Sequence, residues 1–418
     1  MRVEVYPSKV DGTIVPPPSK SVLHRSIISA ALSKGTSLIS NIIYSEDVLA
    51  TINAFKSIGV SIIEGQNTLI ITSSGIGEYD GDLTINCNES GSTMRFLIPV
   101  LSNNKNVYFK GKSSLINRPM TIYESIFKDQ KLEYQKTATA IRTKGRLSPG
   151  TFKIPGDVSS QFISGLLFIL PTLNGDSTIE VEGNLESANY IEMTIATLKK
   201  FGVTILKAKN IFKIKGNQHF TPANIEVETD FSQLAFYAVL GIINNNVQIT
   251  NINYNSLQPD KKIIEIIESM GGEVSKETNS ITFKKSFTIG KTIDVSQCPD
   301  IAPILGILAA HSKGQTNIIN AKRLIIKESN RLLSTYLILK KFGVQVTMDH
   351  DSLSITGTDN LKGNIFDSFN DHRIAMSLSI AATIADSKVT INNAEAVNKS
   401  YPDFYKDLQS LGVKIKYL

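Results

Sequence analysis

A short segment recurs six times along the chain, about 70 residues apart, and this repetition limits the possible folds more than any other feature. Each copy begins with small or charged polar residues and continues into an apolar stretch of helical length. The polar starts lie at 18–21, 89–95, 157–161, 228–233, 299–300 and 370–373. The pattern predicts six helices that start with reactive side chains and end in a hydrophobic core.

A second helix in each repeat is predicted to stop at a glycine, the residue that most often ends helices. The stops are Gly59, Gly202, Gly271, Gly343 and Gly412, and the copy at 127–132 lacks its glycine. Short alternating stretches such as 68–71, 211–214 and 280–283 then indicate strands. The sequence therefore predicts an α/β fold made of six βαβαββ-like repeats.

The length of 418 residues exceeds what one hydrophobic core usually holds, so two domains of three repeats each are expected. The polar stretch 215–224 follows the third repeat and is the best candidate for the crossover between them.

Composition argues against several classes of function. The formal charge is +6, and Lys and Arg are spread along the chain rather than concentrated, which is not typical of a nucleic-acid-binding protein. Cys87 and Cys298 form no disulfide or zinc pattern, and the five histidines lack metal-ligand spacing, so no metal site is expected. Without an apolar leader or a membrane-spanning run, we expect a cytoplasmic protein that does not bind membranes.

The polar helix starts favour anion binding. The first turn of a helix presents unpaired N–H groups and the positive end of the helix dipole. Ser159, Ser160 and Gln161 together offer two hydroxyls and an amide, although a helix cap needs only one of them. Taken alone, Lys20, Ser21 and Arg25 could equally be a capping serine with two solvated cations.

Several second helices begin with a cation, which opposes the helix dipole by about 0.3–1 kcal/mol each. Lys327, Arg331 and Lys399 break the local rule in this way, and such departures are expected at functional sites. Carboxylates at the fifth and sixth first-helix starts, Asp300 and Asp371, could hold or deprotonate a substrate hydroxyl.

These motifs, taken in order, resemble the enolpyruvyl transferase family of EPSP synthases, and the resemblance spans nearly the whole chain. The segments that carry it are Pro18-Ser19-Lys20-Ser21 with Arg25, Gly91-Ser92 with Met94-Arg95, Asn117-Arg118-Pro119, Ser159-Ser160-Gln161, Pro299-Asp300, Lys327-Glu328-Ser329-Asn330-Arg331, Asn370-Asp371-His372-Arg373 and Lys399-Ser400-Tyr401-Pro402-Asp403.

The resemblance implies two domains with threefold pseudo-symmetry, one of residues 14–225 and one of residues 1–13 with 226–418, and an active site in a cleft that closes on substrate. It implies enolpyruvyl transfer from phosphoenolpyruvate to the 5-hydroxyl of shikimate 3-phosphate through a tetrahedral adduct, without metal or cofactor. We expect a monomer whose partners are these two small molecules.

Residue roles follow from the same resemblance. The shikimate 3-phosphate site would comprise Ser21, Arg25, Ser159, Ser160, Gln161, Ser187, Tyr190, Asp300 and Lys327. The phosphoenolpyruvate site would comprise Lys20, Gly91, Arg118, Gln161, Arg331, Arg373 and Lys399. The catalytic set would be Asp300 as general base, Lys327 assisting it, Glu328 as the acid, and Lys20 and His372 beside them.

Three positions depart from the family pattern. Asn330 stands where aspartate is common, Glu89-Ser90 where Asn-Ala is common, and Phe96 where proline is common. The last two adjoin the expected phosphoenolpyruvate pocket, so sensitivity to phosphonate inhibitors such as glyphosate does not carry over.

Three alternatives remain at this stage. A UDP-N-acetylglucosamine enolpyruvyl transferase would have Lys-Asn in place of Lys20-Ser21 and a mobile-loop cysteine that neither Cys87 nor Cys298 matches. An RNA 3′-phosphate cyclase would need a nucleotidylated histidine in another setting. A non-catalytic anion-binding protein would not need the acid–base set.

Overall fold

The six sequence repeats each form strand, helix, strand, helix and two strands in the computed structural model, which describes residues 1–77 and 81–418. The first three repeats contain β2 (Gly12–Ile14), α1 (Lys20–Leu32), β3 (Lys34–Ser40), α2 (Glu46–Lys56), β4 (Ser61–Glu64) and β5 (Thr68–Ser74); β6 (Leu83–Asn86), α3 (Gly91–Leu101), β7 (Val107–Lys110), α4 (Ser113–Ile116), α5 (Thr121–Asp129), β8 (Glu133–Lys136) and β9 (Ala140–Lys144); and β10 (Thr151–Pro155), α6 (Ser160–Ile169), β11 (Ser177–Glu182), α7 (Ala188–Lys200), β12 (Ile205–Ala208) and β13 (Ile211–Ile214).

The last three repeats contain β14 (Ile225–Glu226), α8 (Phe231–Ile243), β15 (Val247–Thr250), α9 (Lys262–Ser269), β16 (Glu273–Lys276) and β17 (Ser280–Lys284); β18 (Thr292–Asp294), α10 (Ala302–His311), β19 (Gln315–Ile319), α11 (Arg331–Lys341), β20 (Gln345–Met348) and β21 (Leu353–Thr356); and β22 (Ile365–Asp367), α12 (His372–Ala382), β23 (Val389–Asn392), α13 (Phe404–Ser410) and β24 (Ile415–Tyr417). The sixth repeat is completed by β1 (Arg2–Val5), which pairs with β23 and β24. The predicted α/β repeat fold is thus confirmed.

Every repeat contributes to a four-stranded sheet of the same order, in which the first two strands are parallel and the remaining pairs are antiparallel. Two first strands are exchanged between repeats. β2 of the first repeat pairs with β15 of the fourth, and β14 of the fourth pairs with β3 of the first.

The chain divides into two compact units, an N-terminal unit of residues 18–227 and a C-terminal unit of residues 1–17 with 228–418. The sequence predicts these divisions after residues 13 and 225. The polar stretch 215–224 leads into β14, which still belongs to the N-terminal unit.

The first helix of each repeat lies in the interior because it is apolar on almost every face. In the C-terminal unit all 13 residues of α8 are buried, and α8, α10 and α12 pack against one another. In the N-terminal unit α3 packs against α6. None of the described helices is long and apolar enough to cross a membrane.

The predicted glycine stops lie at the ends of the second helices, where all five glycines have φ between 80° and 94°. In the second repeat Lys131 occupies the equivalent left-handed position with φ 57°. Since a side chain disfavours this conformation, the missing glycine leaves local strain after α5.

Candidate active site

The three buried helices of the N-terminal unit are each capped by a serine. Ser19, Ser90 and Ser159 accept hydrogen bonds from backbone N–H groups of the first turns of α1, α3 and α6. The capping oxygen of Ser159 is therefore engaged with its own helix, whereas Ser160 follows inside the first turn.

Arg25 is buried on α1 and is held at three points. Its Nε donates to Thr194 Oγ1 at 2.8 Å, and its two terminal nitrogens donate to the carbonyls of Ser21 at 2.7 Å and Tyr190 at 3.0 Å. Burial lowers the pKa of Arg25 to about 10, so it stays charged at neutral pH. The guanidinium also lies 5.2 Å from the centroid of the Phe96 ring. Phe96, which stands where proline is common in the family, therefore supports Arg25 through a cation–π contact.

Gln161 is oriented by two residues of α3. Its Oε1 accepts from Arg95 at 2.7 Å, and its Nε2 donates to Ser92 Oγ at 2.9 Å. These bonds fix which end of the amide is oxygen, because an arginine cannot accept a hydrogen bond. Gln161 therefore projects from the start of α6 in one defined orientation.

The start of α3 passes close to Arg118. A Cβ atom on Gly91 would lie 2.8 Å from the Arg118 guanidinium, so any other residue at this position would displace the end of that side chain. Arg118 is buried at 6% exposure. At the start of α1, Lys20 forms an ion pair of 2.6 Å with Asp47 on α2.

Ser187 precedes α7 in a left-handed conformation with φ 54° and is fully buried. The loop that carries it is joined to the strand end before α6 by two backbone hydrogen bonds, from Gly156 to Glu182 at 2.9 Å and from Glu186 to Gly156 at 3.1 Å. The starts of α6 and α7, the two helices of the third repeat, are thus brought side by side, with Ser159 and Ser160 on one and Ser187 on the other.

In the C-terminal unit, Asp300 forms ion pairs with three cations. Lys327 and Arg331 contact its Oδ1 and Arg373 contacts its Oδ2, each at 3.1 Å. Burial alone would raise the pKa of Asp300, but the three positive charges outweigh it and hold that pKa well below its usual range. The carboxylate is therefore ionised at neutral pH.

For Lys327, burial outweighs the effect of the neighbouring charges on the pKa. Its burial lowers its pKa, and the attraction of Asp300 only partly offsets this effect. A lysine with a lowered pKa exchanges protons more readily near neutral pH than an exposed one.

Arg331 begins α11 and joins three carboxylates. It contacts Asp371 at 2.8 Å, Glu328 at 2.6 Å and Asp300 at 3.1 Å, and its side chain is 1% exposed. Burial would lower the pKa of Arg331, but these carboxylates raise it overall. The unfavourable position of a cation at a helix start is thus offset by three anions.

Arg373 is held by the fourth repeat. Its guanidinium donates to Ser232 Oγ at 3.1 Å, and that hydroxyl donates to Asp230 at 2.6 Å. Asp230 also accepts from two backbone N–H groups as the cap of α8. The start of α8 therefore positions a cation that is carried by α12.

Two further predicted residues, His372 and Lys399, lie near the starts of the two helices of the last repeat. His372 is buried in the first turn of α12, with Nδ1 3.8 Å from Asp371 Oδ1. Lys399 is buried and donates to the carbonyl of Asn370 at 2.5 Å. Both therefore lie beside the segment that carries Asp371 and Arg373.

The structure brings most of the predicted residues into direct contact within each unit. The sequence predicted no role for three residues that hold them, namely Asp47, Arg95 and Ser232. It offered Asp371 as a group that could hold or deprotonate a substrate hydroxyl, whereas in the structure Asp371 pairs with Arg331 and caps α12. Asp371 and Arg95 lie inside family motifs, so the sequence does indicate that they are close to the site. Asp47 and Ser232 carry no signal beyond a helix start, because their partners are distant in sequence.

Solved enolpyruvyl transferases share this fold of βαβαββ repeats. The enolpyruvyl transferase NikO from Streptomyces tendae shares the fold, with a TM-score of 0.81 at 16% identity over 100% of this chain and 98% of that one. EPSP synthase from Acinetobacter baumannii has a TM-score of 0.82 at 26% identity, with both chains fully covered.

Sequence comparison narrows the class. The profile of EPSP synthase (3-phosphoshikimate 1-carboxyvinyltransferase) matches residues 5–408. The 3-phosphoshikimate 1-carboxyvinyltransferases of Clostridium novyi and Clostridium acetobutylicum are 46% and 47% identical to this chain, covering 98% of it and 97% of each relative. The chain belongs to the EPSP synthase family.

Proposed function

We propose that this chain transfers the enolpyruvyl group of phosphoenolpyruvate to the 5-hydroxyl of shikimate 3-phosphate, releasing phosphate by addition and elimination. The main support is the contact of Asp300 with Lys327, Arg331 and Arg373. Glu328 pairs with Arg331 as well. This cluster combines an ionised carboxylate, cations for anionic substrates and a second carboxyl group. Addition of an alcohol to an enol phosphate needs a base, an acid and charge neutralisation together.

Shikimate 3-phosphate is proposed to bind hydroxyl, amide and charged side chains. The proposed ligands are Ser21, Arg25, Ser159, Ser160, Gln161, Ser187, Tyr190, Asp300 and Lys327. Support comes from the adjacent loops that carry Ser187 and Ser160, since hydroxyls and free N–H groups at helix starts suit a phosphate. The three-point support of Arg25 suits a group that holds its position before substrate arrives.

Phosphoenolpyruvate is proposed to bind Lys20, Gly91, Arg118, Gln161, Arg331, Arg373 and Lys399. Its carboxylate and phosphate need several cations, and bidentate arginine contacts suit both groups. Gly91 lies close to Arg118, which supports a site where a backbone N–H and the guanidinium bind the same anionic group of the ligand.

The three cations on Asp300 suggest how it becomes a base. With all three in place the pKa of Asp300 is held well below its usual range, which weakens it as a base. When the substrate anion engages Arg331 and Arg373, these cations neutralise a second negative charge and stabilise the Asp300 carboxylate less. The pKa of Asp300 then rises, so phosphoenolpyruvate binding strengthens it as a base.

Glu328 pairs with Arg331 as a carboxylate and must take up a proton before it can act as the proposed acid for the methylene carbon. Lys327 is proposed to assist proton transfer at Asp300, and Lys20 and His372 complete the catalytic set. Glu328 and Asp300 share Arg331, so the acid and the base are held at a defined separation by one rigid group.

We propose that residues 14–225 and residues 1–13 with 226–418 act as the two functional domains, and that the enzyme works as a cytoplasmic monomer with no cofactor. One chain supplies every residue of the proposed sites. Both cysteines are free and buried, which suits a reducing compartment.

The test is phosphate release from phosphoenolpyruvate with shikimate 3-phosphate or UDP-N-acetylglucosamine supplied separately. We expect turnover with shikimate 3-phosphate alone. Turnover only with the sugar nucleotide would assign the other enolpyruvyl transfer reaction, and turnover with neither acceptor would favour a binding protein.

A further inference from the structure

A cavity of about 180 Å³ lies in the N-terminal unit, at the opposite end of its buried helices from the proposed substrate residues. Leu32, Leu101 and Ile169, the last residues of α1, α3 and α6, all line it. These helices have 10 to 13 residues, so the cavity lies about 15–20 Å from their starts. It is therefore separate from the residues assigned to catalysis.

One side of the cavity is apolar. Phe220 joins the three helix-end residues there, and all four side chains are largely buried. An apolar protein cavity of about 150 Å³ binds benzene, so this space suits a body of about one ring.

The other side is cationic. Lys34 and Arg146 stand exposed at the rim with His219, and no acidic side chain occurs among the described residues that line the cavity. Two permanent positive charges at an apolar recess favour a ligand with a negative head group.

A buried amide adds a directional donor. Asn103 lines the cavity at 5% exposure, and its Oδ1 accepts from the backbone N–H of Asn104 at 2.6 Å, which identifies the other amide atom as nitrogen. That Nδ2 has no hydrogen-bond partner among the described residues. A buried donor left without an acceptor is costly, and a ligand oxygen would remove the cost.

The cations could instead serve the negative ends of the three helices. Hydroxyl groups already occupy carbonyls there: Ser33 donates to Ser29, Ser102 to Ile98 and Thr172 to Ile169. Capping therefore leaves Lys34 and Arg146 available, and it does not account for Asn103 Nδ2.

We propose that this cavity is a second binding site, for a small organic anion with an apolar body of about one ring and a single carboxylate or phosphate head group. The body lies against Leu101, Ile169 and Phe220. The head group accepts from Asn103 Nδ2 and pairs with Arg146 and Lys34. The proposal is independent of the transfer reaction.

The chain contains no tryptophan, so His219→Trp at the rim creates a fluorophore that reports only on this cavity. This protein is titrated with benzoate, phenyl phosphate, inorganic phosphate and benzyl alcohol. We expect a saturable change with benzoate or phenyl phosphate, and the tighter of the two identifies the head group. Adding Arg146→Gln should weaken that binding at least fivefold, whereas Lys153→Gln, an exposed cation elsewhere in the same unit, should leave it unchanged.

The unaltered chain provides a second measurement, by equilibrium dialysis of radiolabelled benzoate and phenyl phosphate. Phosphoenolpyruvate and shikimate 3-phosphate are first mixed with the protein and allowed to reach reaction equilibrium, so that reactants or products fill the proposed active site. Asn103→Asp should abolish binding there, because it removes the donor and adds a like charge. The proposal is overturned if neither organic anion binds, if benzyl alcohol or inorganic phosphate binds equally well, or if Arg146→Gln has no effect.

Discussion

Arg331 and Asp371 form a two-point ion pair in the interior of the C-terminal unit, with Nε 2.8 Å from Oδ2 and Nη2 3.2 Å from Oδ1. The side chains are 1% and 0% exposed. Asp371 also caps α12 through the backbone N–H of Arg373 at 2.9 Å. One carboxylate thus sets the position of a cation from the fifth repeat and the start of the sixth repeat's helix.

Replacing Asp371 should damage both stability and substrate binding. Asp371→Asn leaves Arg331 with less compensation in a buried site, so we expect the free energy of unfolding to fall by up to about 3–5 kcal/mol. The KM for phosphoenolpyruvate should rise because Arg331 loses its orientation. Urea unfolding and steady-state kinetics measure the two effects. Asp349→Asn, at an exposed carboxylate of the same unit, should change neither.

Ser232 should act through Arg373 rather than on substrate. Ser232→Ala removes one hydrogen bond from the guanidinium, so we expect a rise of roughly three- to tenfold in the KM for phosphoenolpyruvate, corresponding to about 1 kcal/mol, with kcat nearly unchanged. Ser379→Ala removes another buried serine hydroxyl, which donates to the Ala375 carbonyl within α12, and should leave KM unchanged. Equal KM values for the two variants would remove Ser232 from the positioning role.

Asp300 should matter for turnover far more than for phosphoenolpyruvate binding. Asp300→Ala should reduce kcat by about 10²–10⁴ through loss of the base. Phosphoenolpyruvate should bind as well as before or more tightly, since Arg331 and Arg373 no longer pair with Asp300. Rapid-quench turnover and direct binding measurements separate the effects, and Asp300→Asn provides a variant of the same size. Normal turnover in both variants would exclude Asp300 as the base.

The strained position of Lys131 predicts a stabilising substitution. Lys131→Gly should raise the free energy of unfolding by up to about 1 kcal/mol, because glycine adopts φ near 57° without steric cost. Lys128→Gly, inside the last turn of α5, should instead lower it by about 1 kcal/mol. Chemical unfolding of the two variants gives changes of opposite sign if the backbone conformation is the cause.

Asp407 should make stability depend on pH in the opposite sense to a typical carboxylate. Burial raises the pKa of Asp407, which accepts from the Tyr401 hydroxyl at 2.5 Å. The folded state therefore keeps this proton after the unfolded state has lost it, so the contribution of Asp407 to stability falls as pH rises above the unfolded pKa of about 4. Unfolding measured from pH 4 to 7 should show this slope in the original chain but not in Asp407→Asn. Parallel pH profiles for the two proteins would contradict the assignment.

Much of the fold could be predicted from the sequence, because its elements are set by local rules. The helix starts, the glycine stops and the strand alternation all depend on neighbours a few residues apart. The exchange of β2 and β14 between repeats could not be predicted from these rules, since a strand's partner depends on which sheet edge it reaches in three dimensions.

The site divides in the same way. The sequence by itself determined the six repeats, the family and the chemical types of the helix-start residues, because each is encoded in a short contiguous motif. Only the tertiary structure decided that Asp371 orients Arg331, that Asp47 pairs with Lys20 and that Ser232 supports Arg373. These pairs join residues 27 to 141 positions apart, and their contacts exist only after the interior helices have packed.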